Sequence, residues 1–354
     1  MPTLGLAGGT SPSLGRAIVT ALVSAPHGPR WNIVILSRSH HRPLWLRAID
    51  PSSLRAQVQS VDYLSVDSLT RALESVDTLI SVTSAIDGSQ RQIQLNLLQA
   101  AVKAGCARFA PSQWGFGPTG MEAVSTTKEV VEGVWEECLK FRNKIECTRF
   151  NHGSYMNYLG HGIFPDPQPE MYEDEQLIRL KEGGGYAKGE DEACQGLHRQ
   201  GDMKDGSGAF LISLKNKIAE LPQRDDGKWP RITLTMMRDV GNFVAHSLEL
   251  PKWEPSMTIV GETLTMGELL AHAEAVARCK LDVTTVTSAD LGQRKLEALS
   301  SGDFMAQLWA ELKLGYCRDR LDEGYLEPVV NRLCPEVKPT SVKEYLQRYW
   351  ADAE

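Results

Sequence analysis

The strongest constraint on this chain lies in its first fifteen residues. A short apolar run, Thr3–Ala7, leads directly into Gly8-Gly9-Thr10-Ser11-Pro12-Ser13-Leu14-Gly15. Apolar residues then recur at helical spacing through Leu14, Ile18 and Leu22. Strand, small-residue turn and helix in that order make a phosphate cradle. The turn lets a ligand approach the backbone, and the helix start offers N–H groups and the positive end of its dipole. Gly9 and Gly15 keep the outer spacing of a dinucleotide fingerprint, with Pro12 at the position of its central glycine. Gly8, Gly9, Thr10, Ser11, Pro12, Leu14 and Gly15 are therefore expected to hold a pyrophosphate.

The alternation continues through residue 150. Strands are expected at Trp31–Leu36, Asp77–Val82, Arg108–Ala110 and Glu146–Phe150. Helices are expected at Ser68–Leu73, Gln90–Ala104 and Thr126–Phe141. Such alternation implies a Rossmann-like α/β fold, a doubly wound parallel sheet with right-handed crossovers. The second strand ends Ile35-Leu36-Ser37-Arg38-Ser39. This tip meets the adenosine ribose in such folds. An acidic residue there would hold the 2′-hydroxyl of NAD, whereas the Arg38 guanidinium suits a 2′-phosphate. Arg38 and Ser39 therefore point to NADP(H), with His40, His41 and Arg42 adding positive charge.

From Asp166 to about Gly208 the periodicity stops. Asp166–Asp205 holds 11 Asp and Glu against 5 Lys and Arg, so it carries −6 of a net charge of −7. A segment this long without regular structure is expected to be a lid or specificity insert. Regular elements return with strands at Arg231–Thr235, Met257–Val260 and Leu281–Val286, a helix at Asp239–Leu248, and a capping box at Thr265–Glu268. The expected division is an NADP-binding domain over 1–155, rejoined by about 231–262, and a smaller C-terminal α/β substrate lobe over 156–354 that includes the insert 166–208.

The mildly acidic balance argues against a nucleic-acid partner. Seven cysteines without a CxxC pair suggest reduced thiols, and no Cys/His spacing suggests a metal. Neither a signal peptide nor a membrane-length apolar run is read. A cytoplasmic protein without membrane partner is expected, and an oligomer is compatible with these features.

Several blocks together resemble the NmrA-like and isoflavone-reductase-like branch of atypical short-chain dehydrogenases. They are the N-terminal loop, Val76-Asp77-Thr78-Leu79-Ile80-Ser81, Ala101-Val102-Lys103-Ala104-Gly105, and Arg108-Phe109-Ala110-Pro111-Ser112-Gln113-Trp114-Gly115. The last resembles the family's R-F-x-P-S-E-F-G, with Gln113 for Glu and Trp114 for Phe. Phe150–Leu159 and Arg238–Ala245 resemble fungal members. The resemblance implies that Lys128 is the active-site lysine, bonding the nicotinamide ribose and serving as a proton donor. It also implies that Thr83, Ser84, Ser112 and Asn151 line the cofactor. No Tyr is followed four residues later by Lys, so the Tyr-x-x-x-Lys pair of ordinary short-chain dehydrogenases is absent. Trp114, His152, Tyr155, Met156 and Phe164 are the expected substrate pocket, with His152 a second acid–base candidate.

The leading expectation is an NADP(H)-dependent oxidoreductase of fungal-type secondary metabolism. It would deliver hydride to a carbonyl, imine or conjugated alkene of an aromatic or alkaloid-like small molecule. Two alternatives stand beside it: an NADP(H)-binding cyclase, as in redox-coupled cycloaddition, and a non-catalytic dinucleotide-sensing regulator.

Overall fold

The computed structural model describes residues 1–24, 30–85, 87–159, 173–186, 202–205 and 209–351. Its central sheet is built from β1 (Thr3–Ala7), β2 (Asn32–Ser37), β3 (Ala56–Ser60), β4 (Thr78–Ser81), β5 (Arg108–Ala110) and β6 (Glu146–Cys147). The order is β3-β2-β1-β4-β5-β6 and every pairing is parallel. This is the doubly wound Rossmann arrangement, whose strand order reverses between β1 and β4. A crevice at that reversal, beyond the strands' carboxyl ends, is where such sheets take ligands.

Strands covered on both faces need near-continuous apolar sequence, and Leu4, Leu6, Ile33, Ile35, Leu79 and Ile80 are almost fully buried. The strand β3 is the exception. It lies at the sheet edge and exposes Gln57 and Gln59, so its sequence carries no apolar run, and the sequence reading contains no strand there.

Helices α1 (Leu14–Val23), α2 (Leu44–Ile49), α3 (Val66–Ala72), α4 (Gln90–Ala104), α5 (Pro118–Ala123) and α6 (Ser125–Lys140) follow the strands. Continuing the chain are β7 (Arg149–Asn151), β8 (Ser154–Tyr155), α7 (Glu173–Glu182), β9 (Ile212–Ser213), β10 (Ile218–Pro222) and β11 (Arg231–Thr235). Next come α8 (Met237–Ser247), β12 (Ser256–Thr258), β13 (Glu262–Thr265), α9 (Met266–Ala277) and β14 (Asp282–Val286). The chain closes with α10 (Ser288–Ser301), α11 (Phe304–Arg318), α12 (Val329–Leu333) and α13 (Val342–Trp350).

Two of these later elements pack against the first part of the chain. Strand β12 pairs in parallel with β7, and α8 lies along α1. The α1–α8 approach is so close that a Cβ on Gly241 would collide with the Ala17 carbonyl. The remaining C-terminal elements form two three-stranded sheets, β14-β10-β9 and β13-β11-β8, with their own core around Leu221, Ile232, Trp309, Tyr316 and Tyr345.

The acidic stretch departs from expectation. Its described part contains a helix, α7, with Glu173, Asp174 and Glu175 in the first turn and Arg179 and Lys181 in the last. That charge order complements the helix dipole. None of its residues is buried, so the apolar periodicity that announces other helices is missing. Helix α7 packs on α2, and Glu173 pairs with Arg47. The nearly buried Arg16 donates through Nε to the Gly185 carbonyl at 2.8 Å. The Tyr186 ring lies between Arg16 and Arg238, with guanidinium carbons 4.1 and 3.7 Å from its centroid. Gly184 and Gly185 lie beside Ser24 and Thr20, near the carboxyl end of α1. The loop after β1 is at the other end of that helix. For residues 173–186 the lid expectation is thus corrected: this piece is fastened to the back of the Rossmann body. The rest of the insert's central tract lies outside the described residues, except 202–205. There Asp202 meets the fully buried Lys313, which also bonds Glu220, each at 2.8 Å.

Candidate active site

The loop after β1 turns at Gly8, whose φ of 81° suits glycine. The Gly8 N–H donates to the Leu36 carbonyl at 3.1 Å and to the Tyr63 hydroxyl at 3.0 Å. That hydroxyl in turn donates to Leu36 at 2.7 Å. Burial, opposed by the Gly8 hydrogen bond and the Arg38 charge, pushes the Tyr63 phenol up to about 12. Tyr63 therefore stays protonated and ties the loop to the tip of β2. Sequence reasoning missed it, because nothing local marks a tyrosine beyond an edge strand as the brace of a loop 55 residues earlier.

The Ser11 hydroxyl accepts from the Gly15 N–H at 3.1 Å, and the Ser11 carbonyl accepts from Arg16 at 3.0 Å. A Cβ at Gly15 would lie 2.7 Å from Ser11 Oγ and 2.9 Å from the Gly8 carbonyl. Gly15 is needed for loop closure, independent of any ligand. Pro12 fits because the turn is held by Ser11 and Gly15 on either side. Leu14 is buried at the start of α1, and the Thr10 hydroxyl is 3.5 Å from that of Ser37.

Arg38, Ser39, His40 and His41 are exposed beyond β2. Arg42 is different. It donates to the Asp50 carbonyl at 2.6 Å and sits 3.9 Å from the Asp50 carboxylate, so it braces α2 and is not part of the exposed charge.

At the tips of β4 and β5 the organiser is Gln94, fully buried on α4. Its Nε2 donates to Ser81 Oγ at 3.1 Å and Thr83 Oγ1 at 2.8 Å, and its Oε1 accepts from the Ser112 N–H at 2.9 Å. One side chain thus fixes Thr83 and Ser112 across the two strands. Ser84 is exposed beside them. Gln94 also escaped the sequence reading, since a lone Gln in a helix looks like a solvated residue.

The segment after Ser112 is held from inside. Gln113 Nε2 donates to the Val131 carbonyl of α6 at 2.8 Å, and Asn151 Nδ2 donates to the carbonyls of Gln113 and Phe116 at 2.8 and 2.5 Å. Asn151 is 1% exposed, so in this conformation its amide serves the turn. Trp114 donates its indole N–H to the Ser81 carbonyl at 2.9 Å. Its ring stacks on Phe150 at 5.5 Å and on His152 at 6.4 Å, and His152 stacks on Tyr155 at 3.8 Å. The expected pocket residues therefore form an aromatic stack, of which only Trp114 is partly open. His152 is 2% exposed and Tyr155 8%, while Met156 is wholly buried in the C-terminal core. Phe164 lies outside the described residues.

Lys128 occupies the first turns of α6, where its N–H bonds the Val124 carbonyl at 3.0 Å. Its side chain is about half exposed (54%), with Nζ 3.5 Å from Glu132. Such an exposed pair is weak, so the ammonium is available to a ligand. The start of α6 is gripped by Glu311 of α11, which is 2% exposed. Glu311 receives the Ser125 hydroxyl, the Thr126 N–H at 3.1 Å, and the ammonium of Lys295 at 2.7 Å. Burial alone would raise its carboxyl, but Lys295, Ser125, Thr126 and Gln307 bring it down to about 2.

No family model matches the sequence. Among curated proteins it is similar to Oxidoreductase BOA1 of Botryotinia fuckeliana (strain B05.10), with 26% identity over 265 residues, 74% of this chain and 71% of the relative. Its fold is shared with pinoresinol-lariciresinol and phenylcoumaran benzylic ether reductases, at a TM-score of 0.67, 19% identity and coverage of 99% and 100% of the two chains. The chain is thus similar in sequence to an oxidoreductase and in fold to these reductases. AtPrR2, solved with NADP+ and (+)pinoresinol, matches at a TM-score of 0.65 with 18% identity, covering 98% of both chains. The ternary complex of leucoanthocyanidin reductase from Vitis vinifera matches at 0.64 with 17% identity, covering 99% and 100%. At these identities the likeness to solved structures is one of fold. The fungal relative agrees with the fungal character read from the motifs around Asn151 and Arg238. No helix among the described residues is long and apolar enough to cross a membrane.

Proposed function

We propose that this chain is an NADP(H)-dependent oxidoreductase of the isoflavone-reductase-like type. Its substrate would be an aromatic or alkaloid-like small molecule bearing a carbonyl, imine or conjugated alkene, and its setting fungal-type secondary metabolism. The observation that carries the reading is the pairing of a glycine-braced helix start with an exposed guanidinium, Arg38, at the next strand tip. The oxidoreductase relative supports the reaction class.

The residues present fit a phosphorylated dinucleotide. The N-cap of α1, Ser13, makes no side-chain cap bond, and the positive end of the helix dipole beside the loop favours an anion. In this reading the loop 8–15 binds the pyrophosphate, Arg38 and Ser39 take the 2′-phosphate, and Thr83, Ser84 and Ser112 orient the nicotinamide half. Asn151 shapes that wall from behind by holding the 113–116 turn. Bound there, a reduced nicotinamide supplies hydride. The Lys128 ammonium stabilises the charge that develops on the substrate heteroatom and donates a proton to it. Trp114 offers an apolar face to a flat substrate, and the enclosed His152 and Tyr155 rings keep that face in place.

The test is a fluorescence titration with NADPH and NADH, followed by turnover of menadione and an aromatic enone as probes with product analysis. Tighter binding of NADPH, with cofactor consumed and reduced product formed, is expected. Equal or tighter NADH binding would sink the Arg38 assignment, and rings formed without net NADPH consumption would replace reduction with cyclisation.

A further inference from the structure

The start of α6 lacks a cap of its own. Its N-cap is Val124, whose side chain cannot accept a hydrogen bond from the first-turn N–H groups. The missing acceptor arrives from a distant helix. Glu311, 185 residues further along, accepts the Thr126 N–H at 3.1 Å and the Thr126 hydroxyl at 3.2 Å. Its other oxygen takes the Ser125 hydroxyl, and Gln307 adds bonds to Ser125 at 3.1 Å and Glu311 at 3.2 Å. Lys295 of α10 neutralises the carboxylate at 2.7 Å. Lys128 closes the turn so gripped, through its N–H to the Val124 carbonyl.

We propose that Glu311 is a positioning residue for Lys128: the C-terminal α10–α11 hairpin sets where the lysine ammonium stands by supplying the carboxylate cap of its helix. This deepens the functional reading above and rests on Lys128 meeting the cofactor. A helix start without an acceptor frays, and fraying moves the residues that close the first turn. An anion at the helix start also lies at the favourable end of the dipole. The Lys128 side chain is about half exposed and its pair with Glu132 is weak, so the backbone turn is the main determinant of its position.

The test is a double-mutant cycle read by NADPH affinity, with nicotinamide fluorescence as signal and adenosine 2′,5′-bisphosphate as the control ligand. Lys128→Ala and Glu311→Gln are each expected to weaken NADPH binding about tenfold. In the Lys128→Ala background Glu311→Gln should add nothing, and neither variant should alter affinity for the adenosine bisphosphate, which stops short of the nicotinamide. Loss on Glu311→Gln that persists at full size without Lys128 overturns the positioning role while leaving Lys128 intact as a ligand. No loss on Lys128→Ala overturns both the lysine reading and the inference built on it. Where Glu311→Gln loses the control ligand too, and so has failed to fold, Ser125→Ala replaces it in the same cycle: a loss that vanishes without Lys128 supports positioning, and one that persists overturns it.

Discussion

Two helix starts meet the candidate ligand side of this protein, and they are built in opposite ways. The start of α1 is served locally. Ser11 reaches four residues forward to Gly15, and the preceding strand delivers the turn. The start of α6 is served from far away, by Glu311 of α11 with Lys295 behind it. At the first, the Gly15 and Arg16 N–H groups turn back to Ser11, while the second is capped by a carboxylate from another helix. The first closes on the loop that precedes it, whereas the second depends on a distant carboxylate for the acceptor its own cap lacks.

That contrast can be broken most sharply at the local end. Gly15→Val should lower NADPH affinity by roughly a hundredfold or more, on the order of 3 kcal/mol, because its Cβ meets Ser11 Oγ and the Gly8 carbonyl. Near-normal binding in a calorimetric titration would show that the loop does not form the cradle. Next in size, Arg38→Ala should cost NADPH about ten- to a hundredfold, roughly 1.5–3 kcal/mol for hydrogen bonds to a charged group, with NADH unaffected. A parallel loss for both cofactors would remove Arg38 from 2′-phosphate recognition.

A smaller effect is expected at the brace between the tips of β4 and β5. Gln94→Leu leaves the Ser112 N–H without its partner and removes a donor from the Ser81 and Thr83 hydroxyls, which keep each other at 3.1 Å. The expected loss is about 1–3 kcal/mol in denaturant unfolding. An unchanged midpoint would mean that water replaces the amide without cost.

The smallest effect concerns the remote cap and pH. The Glu311 carboxyl is depressed from 4.5 to about 2, so its contribution is fully present above about 4.5 and is lost as pH falls toward 2. The difference in melting temperature between the wild type and Glu311→Gln should therefore be constant near neutrality and shrink through that acid window. A difference that grows on acidification would reverse the sign of the linkage.

Much of the Rossmann half was legible in the chain. Thr3–Ala7, Leu14–Val23, Gln90–Ala104 and Arg108–Ala110 form the elements that their apolar spacing announces. Those elements are buried against a sheet, and burial of one stripe or of both strand faces is what writes a period into sequence. Where burial is one-sided or absent, the signal is lost. The edge strand β3 and the surface helix α7 are the examples, the second being stabilised by its own charge order and by docking on α2.

The site divides the same way. Sequence by itself singled out the small-residue loop after β1, the basic tip of β2 and the strand-end hydroxyls as candidate ligand positions, because their chemistry follows from residues adjacent in the chain. Only tertiary structure decided how these are held. Tyr63 braces Gly8, Gln94 spans β4 and β5, Arg42 turns to Asp50, and Met156 enters the core and so offers no surface to a ligand. It also decided that an acidic segment docks behind α1, and that a carboxylate from α11 completes α6. Long-range hydrogen bonds leave no period or spacing in a sequence, since their geometry exists only once the chain has brought distant residues together.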